Sequence, residues 1–223
     1  MHRKYGKEVD LLRNYPTTKR DPNARGAAKT LADQELARKF GQEFFDGNRS
    51  NGYGGFHYNS RFWQPVIPDI VKHFNLEDGG SLLDVGCAKG FMLHDFKNSL
   101  PKLNVRGIDI SEYAIKNCLH DVKDYCSVGN ATDLPFEDNA FDVVISVTTI
   151  HNLDGENLIK SLKEIERVSR RGSFVTVDAY NNEVEKLAMY NWNLTAKTIL
   201  HVDQWREVFK EAGYTGDYYW FMP

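Results

Sequence analysis

No run of about eighteen apolar residues, the length a membrane-crossing helix requires, occurs anywhere in the 223 residues, so no segment is expected to span a bilayer. Cysteine is scarce: Cys87, Cys118 and Cys126 are an odd number without metal-type spacing. That excludes a disulfide framework and points to reduced thiols in a cytoplasmic protein. The opening Met1–Glu8 lacks the apolar core of a signal peptide. Internal repeats and low-complexity tracts are absent too. Nor is there a strong charge of either sign, and a formal net charge of −3 argues against a general nucleic-acid binder. The charge that exists is unevenly spread. Residues 1–39 carry ten Lys/Arg against five Asp/Glu, so basic character belongs to the N-terminal arm.

What is present is an ordinary globular composition, 41% apolar and 26% charged, enough for one medium domain with a real core. The boundary is expected near residue 75, with an arm and cap over 1–75 and the main domain over 76–223. Residues 1–30 contain Pro16 and Pro22 and show no sustained periodicity. Over 31–46, Leu36, Phe40 and Phe44 recur at steps of four, as in one amphipathic helix. A segment dense in Gly, Asn and Tyr follows over 47–58, then a helix from about Gln64 to Phe74, with Pro65 and Pro68 suited to its first turn.

From Ser81 the pattern alternates between strand and helix. Strands are expected at 81–87, 105–110, 125–128, 141–148 and 173–179, and helices at 91–100, 112–122 and 156–169. Near-continuous apolar strands alternating with helices predict an α/β fold: a Rossmann-like, mostly parallel sheet with helices on both faces and the N-terminal segment as a cap. The tail offers a strand within 195–201, a helix over 203–212 with Asp203 as its cap and Gly213 as its end, and a strand-like stretch over 214–222.

The chemistry concentrates in Asp84-Val-Gly-Cys-Ala-Lys-Gly90, between the first strand and its helix. There a Gly-rich turn lets backbone approach a ligand. The spacing Gly86-x-Ala88-x-Gly90 is not the G-x-G-x-x-G of a pyrophosphate cradle, and an acid stands two residues before Gly86. That suits an adenosine bearing a cationic amino-acid tail. Asp109 ends the second strand, 19 residues after Gly90, where a carboxylate holds ribose hydroxyls. A third acid, Asp133, follows the third strand, placed to accept the adenine amine. Each has a plainer reading: a turn for Asp84 and Gly86, a neighbour of the Ser111 cap for Asp109, a loop cap for Asp133. Three acids at successive strand ends nonetheless converge on the edge where such sheets bind ligands.

On these residues the chain resembles the class I S-adenosylmethionine (SAM)-dependent methyltransferases. The match lies in the Asp84–Gly90 loop, in Asp109-Ile-Ser, and in the run from Asn130 through Leu134-Pro-Phe and Phe141-Asp-Val-Val to Ser146, which looks like the small-molecule branch. It covers roughly 81–222. The resemblance implies that SAM is the cofactor and S-adenosylhomocysteine (SAH) the product. It implies a site of Asp84, Gly86, Cys87, Ala88, Gly90, Asp109, Ile110, Asn130, Ala131, Thr132, Asp133 and Ser146. Ala88 departs from the glycine more usual there. The family's usual ending is an antiparallel hairpin. Here only 214–222 remains for it, so the last strand is missing or drawn from 195–201.

Methyl transfer to a hydroxyl or ammonium also needs a proton acceptor. His151, after the fourth strand, is the leading candidate, although the same residues suit a helix-entry loop. Asp178, after the fifth strand, could orient the acceptor, act as base or merely cap. No metal is expected. Tyr53, His57 and Tyr58 are placed to touch SAM or acceptor from a lid, and Tyr180 faces the same cleft. Lys19, Arg20, Arg25 and Lys29, if folded onto the cleft, favour a phosphate- or carboxylate-bearing acceptor, including a phosphorylated or sugar-linked metabolite; if solvated, they mean little. The expected partner is thus a small-molecule acceptor. The rivals are an RNA or protein methyltransferase, a non-catalytic SAM-binding module and, weakest, an NAD-dependent oxidoreductase. Oligomeric state is not legible.

Overall fold

The computed structural model describes residues 6–17, 20–52 and 56–223. Its N-terminal part is a set of short helices: α1 (Pro22–Ala28), α2 (Leu31–Ala37), α3 (Gln42–Asp46), α4 (Ser60–Trp63) and α5 (Ile67–Phe74). The single helix expected over 31–46 is thus divided. Phe40 adopts φ 49°, which no helix accommodates, and Gly41 then caps α3. The helix expected over 64–74 begins later, at Ile67, with Pro68 in its first turn.

The alternating pattern folds into β1 (Ser81–Val85), α6 (Phe91–Ser99), β2 (Asn104–Asp109), α7 (Glu112–Lys116), β3 (Cys126–Val128), β4 (Phe141–Val147), α8 (Gly155–Val168) and β5 (Ser169–Tyr180). Then come α9 (Glu183–Trp192), β6 (Leu200–His201), α10 (Val202–Ala212) and β7 (Asp217–Phe221). Helix α9 has no counterpart in the sequence reading. His201, not Asp203, caps α10, its ring accepting from Asp203 N.

Strand order is β3-β2-β1-β4-β5, with β6 and β7 both paired to β5. Every paired strand runs parallel. β7 therefore returns through α9 and α10 in the same direction as β5, and no antiparallel hairpin closes the sheet among the described residues. Instead Val9 N donates to Tyr218 O (2.9 Å) and Tyr218 N to Lys7 O (3.1 Å), so the N-terminal segment covers the edge of β7.

β1 is buried along its whole length, which its apolar run dictates once helices cover both faces. Alternate residues supply two cores. Leu83, Val85, Val144 and Val175 pack with Leu162, Ile165 and Trp205 on one side. Leu82, Val105, Val143 and Ile145 pack with Ile70, Leu93 and Phe96 on the other. The carboxyl ends of β1, β2, β4 and β5 are thereby held side by side beneath the N-terminal helices.

Candidate active site

A cavity of about 1360 Å³ lies over those strand ends. Of the residues anticipated for cofactor binding, Asp84, Gly86, Cys87, Ala88, Asp109, Ile110, Asn130 and Ala131 line it. Asp84 is 3% exposed, and no described donor reaches its carboxyl. Burial, with Asp109 nearby, pushes its pKa up to about 8. Asp109 is better served: Oδ2 accepts from Ala88 N (2.8 Å) and Oδ1 from Ser111 N (2.8 Å). Burial raises its pKa and those two amides oppose the rise. An orphaned acid beside an amide-anchored acid fits a ligand with an ammonium at one end and hydroxyls further along. SAM has both.

The glycines of the loop answer to the protein itself. A Cβ on Gly86 (φ 91°) would lie 2.1 Å from Thr149 Oγ1, and one on Gly90 (φ 77°) 2.7 Å from Cys118 Sγ. Ala88 holds φ 50°, a left-handed position where a methyl costs about 1 kcal/mol. Cys87 is buried; a hydrogen bond with Cys126 lowers its pKa, yet burial and the neighbouring acids push it up to about 11. It is an unreactive thiol.

Other anticipated residues lie elsewhere. Ser146 is fully buried and its hydroxyl donates to Val85 O (2.9 Å), tying β4 to β1. Thr132 is buried, and Asp133 is exposed; neither is among the residues lining the cavity. Tyr58 turns away, donating to Asp95 Oδ1 (2.6 Å) with its ring against Phe91 and His94. Tyr180 packs against His201 under Lys186. His57 and Arg25 do line the cavity. Tyr53 lies outside the described residues, as does Lys19.

Lys89, which a sequence reader would leave in solvent, is 5% exposed. Its ammonium meets both oxygens of Asp46 (2.5 and 2.7 Å) and Phe56 O (3.0 Å). Tyr113 also donates to Asp46 (2.7 Å), and Ser111 Oγ to Phe40 O (2.5 Å). The cap is thus fastened to the loop of Asp84 and to the turn of Asp109. No spacing rule signals such a contact across 43 residues.

At the other end, Thr148 holds φ 49°, a strained conformation for a β-branched residue, fixed by its N–H on Thr176 O and Oγ1. The chain then turns through Ile150–Asn152, which buries His151. Lys197 N and Thr198 N both donate to His151 O at 3.0 Å. Its Nδ1 accepts from Asp178 N (3.0 Å) and lies 3.2 Å from Asp178 Oδ1. With the Nδ1 lone pair occupied, the neutral ring carries its hydrogen on Nε2. Burial drives the His151 pKa down to about 3 and that of Asp178 up to about 8. Both residues line the cavity. No cluster of three or more metal-type ligands occurs among the described residues, and none of their helices is long and apolar enough to cross a membrane.

Residues 83–177 match the family model described as a methyltransferase domain. A tRNA (carboxymethyluridine(34)-5-O)-methyltransferase of Arabidopsis thaliana is 32% identical over 134 residues, 59% of this chain and 31% of that protein. A demethylmenaquinone methyltransferase of Symbiobacterium thermophilum is 30% identical over 152 residues, 64% of this chain and 59% of that protein. The chain spans less than two thirds of either relative. Among solved structures, phosphoethanolamine N-methyltransferase 2 of Haemonchus contortus, in complex with SAM, superposes with a TM-score of 0.56 at 21% identity, covering 79% of this chain and 44% of that one. The fold defines a Rossmann-like α/β protein with acids lining its strand ends. Within that class, the likeness of residues 83–177 is to methyltransferase domains, and one of the similar structures holds SAM.

Proposed function

We propose that the protein transfers the methyl group of SAM to a small-molecule acceptor held beneath the N-terminal cap. The observation that carries this reading is the single cavity running from Asp84 and Asp109 to His151 and Asp178. It has room for the cofactor and a metabolite-sized partner, and the cap roofs it. SAM supplies an electrophilic methyl on a sulfonium. Asp84 and Asp109 bind and orient its amino-acid and ribose ends, so that the strand ends of β4 and β5 face the methyl.

Asp178 takes the acceptor's proton in this reading, and His151 positions it. The ring's one lone pair is engaged by Asp178 N, and protonating a buried imidazole is unfavourable, so His151 offers a donor at Nε2 and not a base. The Asp178 carboxyl, raised to about 8, has a basicity matched to proton transfer near neutrality.

The cofactor half is tested by calorimetric titration of SAM. Asp109→Ala is expected to weaken binding about 10- to 100-fold, as loss of charge-assisted hydrogen bonds implies; absence of binding to the wild type overturns the reading. The acceptor half is tested with labelled SAM and two pools, a metabolite extract and total RNA. Label in a small molecule supports the proposal. Label in RNA would favour the activity named for the Arabidopsis relative, which the basic arm also suits.

A further inference from the structure

We infer that the acceptor carries an oxyanion, a carboxylate or phosphate monoester, and that Arg20 and Arg25 bind it at the indole of Trp192. What the anion is used for rests on the methyl-transfer reading; the anion site stands on its own geometry.

The Arg20 guanidinium lies 4.8 Å from the Phe221 ring centre and 5.6 Å from that of Trp192. That of Arg25 lies 4.8 Å from the same indole. All four residues line the cavity. Phe221 pairs in register with Asp178, so the two arginines sit at the acceptor end, away from Asp84 and Asp109.

Several other cations have acceptors of their own. Arg13 is bidentate on Asp69, Arg167 bridges Glu164 and Asp138, and Arg206 reaches Asp203 and Glu8. Lys29 spends its three protons on the carbonyls of Tyr190, Asn191 and Asn193, where α9 ends. Arg25 does part of the same work, its Nε donating to Trp192 O (2.9 Å), but its other nitrogens have no acceptor among the described residues. Arg20 has none at all there. Both are half-buried, and burial pushes both guanidinium pKa values down.

The acids lining the same cavity leave this gap unfilled. Glu8 is on Arg206, Asp10 accepts from Leu12 N, and no hydrogen bond joins Asp178 to either arginine among the described residues. A half-buried guanidinium with free N–H groups is costly unless something accepts them. The planar fork fits the paired oxygens of a carboxylate or phosphate. The more exposed Arg49, near enough to depress Arg25 further, adds to the positive field.

The test titrates the full chain, with and without saturating SAH, with phenyl phosphate, benzoate and phenol, read by calorimetry. At least one anion is expected to bind saturably and at least tenfold more tightly than neutral phenol. Arg20→Gln should weaken that anion tenfold or more, Arg20→Lys should restore part of it, and SAH affinity should stay within twofold throughout. The unchanged SAH affinity also reports that the variants are folded. Equal binding of phenol and both anions, or undiminished anion binding by Arg20→Gln, overturns the inference. Failure of the wild type to bind SAH strikes the methyl-transfer reading instead, and the titrations without SAH still decide the anion site.

Discussion

At the β1–β2 end of the cavity, the acids are set by backbone of two neighbouring strand ends: Asp109 is gripped by the amides of Ala88 and Ser111. At the β4–β5 end, they are set by side chains and segments brought from far away. His151 is pinned by residues 197 and 198, and Arg25 reaches across 167 positions to Trp192. The first end is a device of strand and turn. The second exists only when the cap, α9 and the sheet are assembled, and this is where specificity has room to vary.

The largest expected effect lies at the assembled end. Asp178→Asn should lower methyl transfer about 10²- to 10⁴-fold, as removal of a general base does, while SAM affinity stays within twofold. Equal loss of SAM binding would mean that the two ends are not separable.

The next effect belongs to the β1–β2 end. Below about pH 8 the Asp84 carboxyl of the free protein holds a proton that it must release to pair with an ammonium. SAM affinity should therefore fall by up to tenfold per pH unit as pH drops below 8. Asp84→Asn should flatten that slope; a slope that survives would assign it to another group.

The smallest is conformational. Ala88→Gly removes a methyl from a left-handed position and should raise stability by about 0.5–1 kcal/mol, a melting shift of a few degrees. A lower melting temperature would show that the Ala88 methyl packs usefully.

The same contrast governs what could be read from the residues alone. Asp84 and Asp109 were legible because a buried apolar strand followed by a turn and a helix leaves a period that the eye can follow. Asn130 and Ala131 were implied only by the family resemblance, and of the acids read from the strand ends Asp133 points to solvent. Helix α9 was illegible for a physical reason. Val184, Leu187 and Tyr190 on it are exposed, and only Met189 is buried, so no apolar stripe marks it. Its C-terminus is completed by Lys29 and Arg25 from the arm, partners that no local window contains. Lys89 is illegible likewise, since a lysine in a loop reads as solvated until its acid, 43 residues earlier, is brought to it. Ser146 shows the reverse error, a polar residue at a strand end whose hydroxyl serves the sheet.

The bond between Lys89 and Asp46 has a thermodynamic side. One of its ends belongs to the Asp84–Gly90 loop, the other to the cap over the cavity. Whatever firms the loop also firms the roof, and if ligands bound at the two are coupled through this bond, each raises the other's affinity by the same factor.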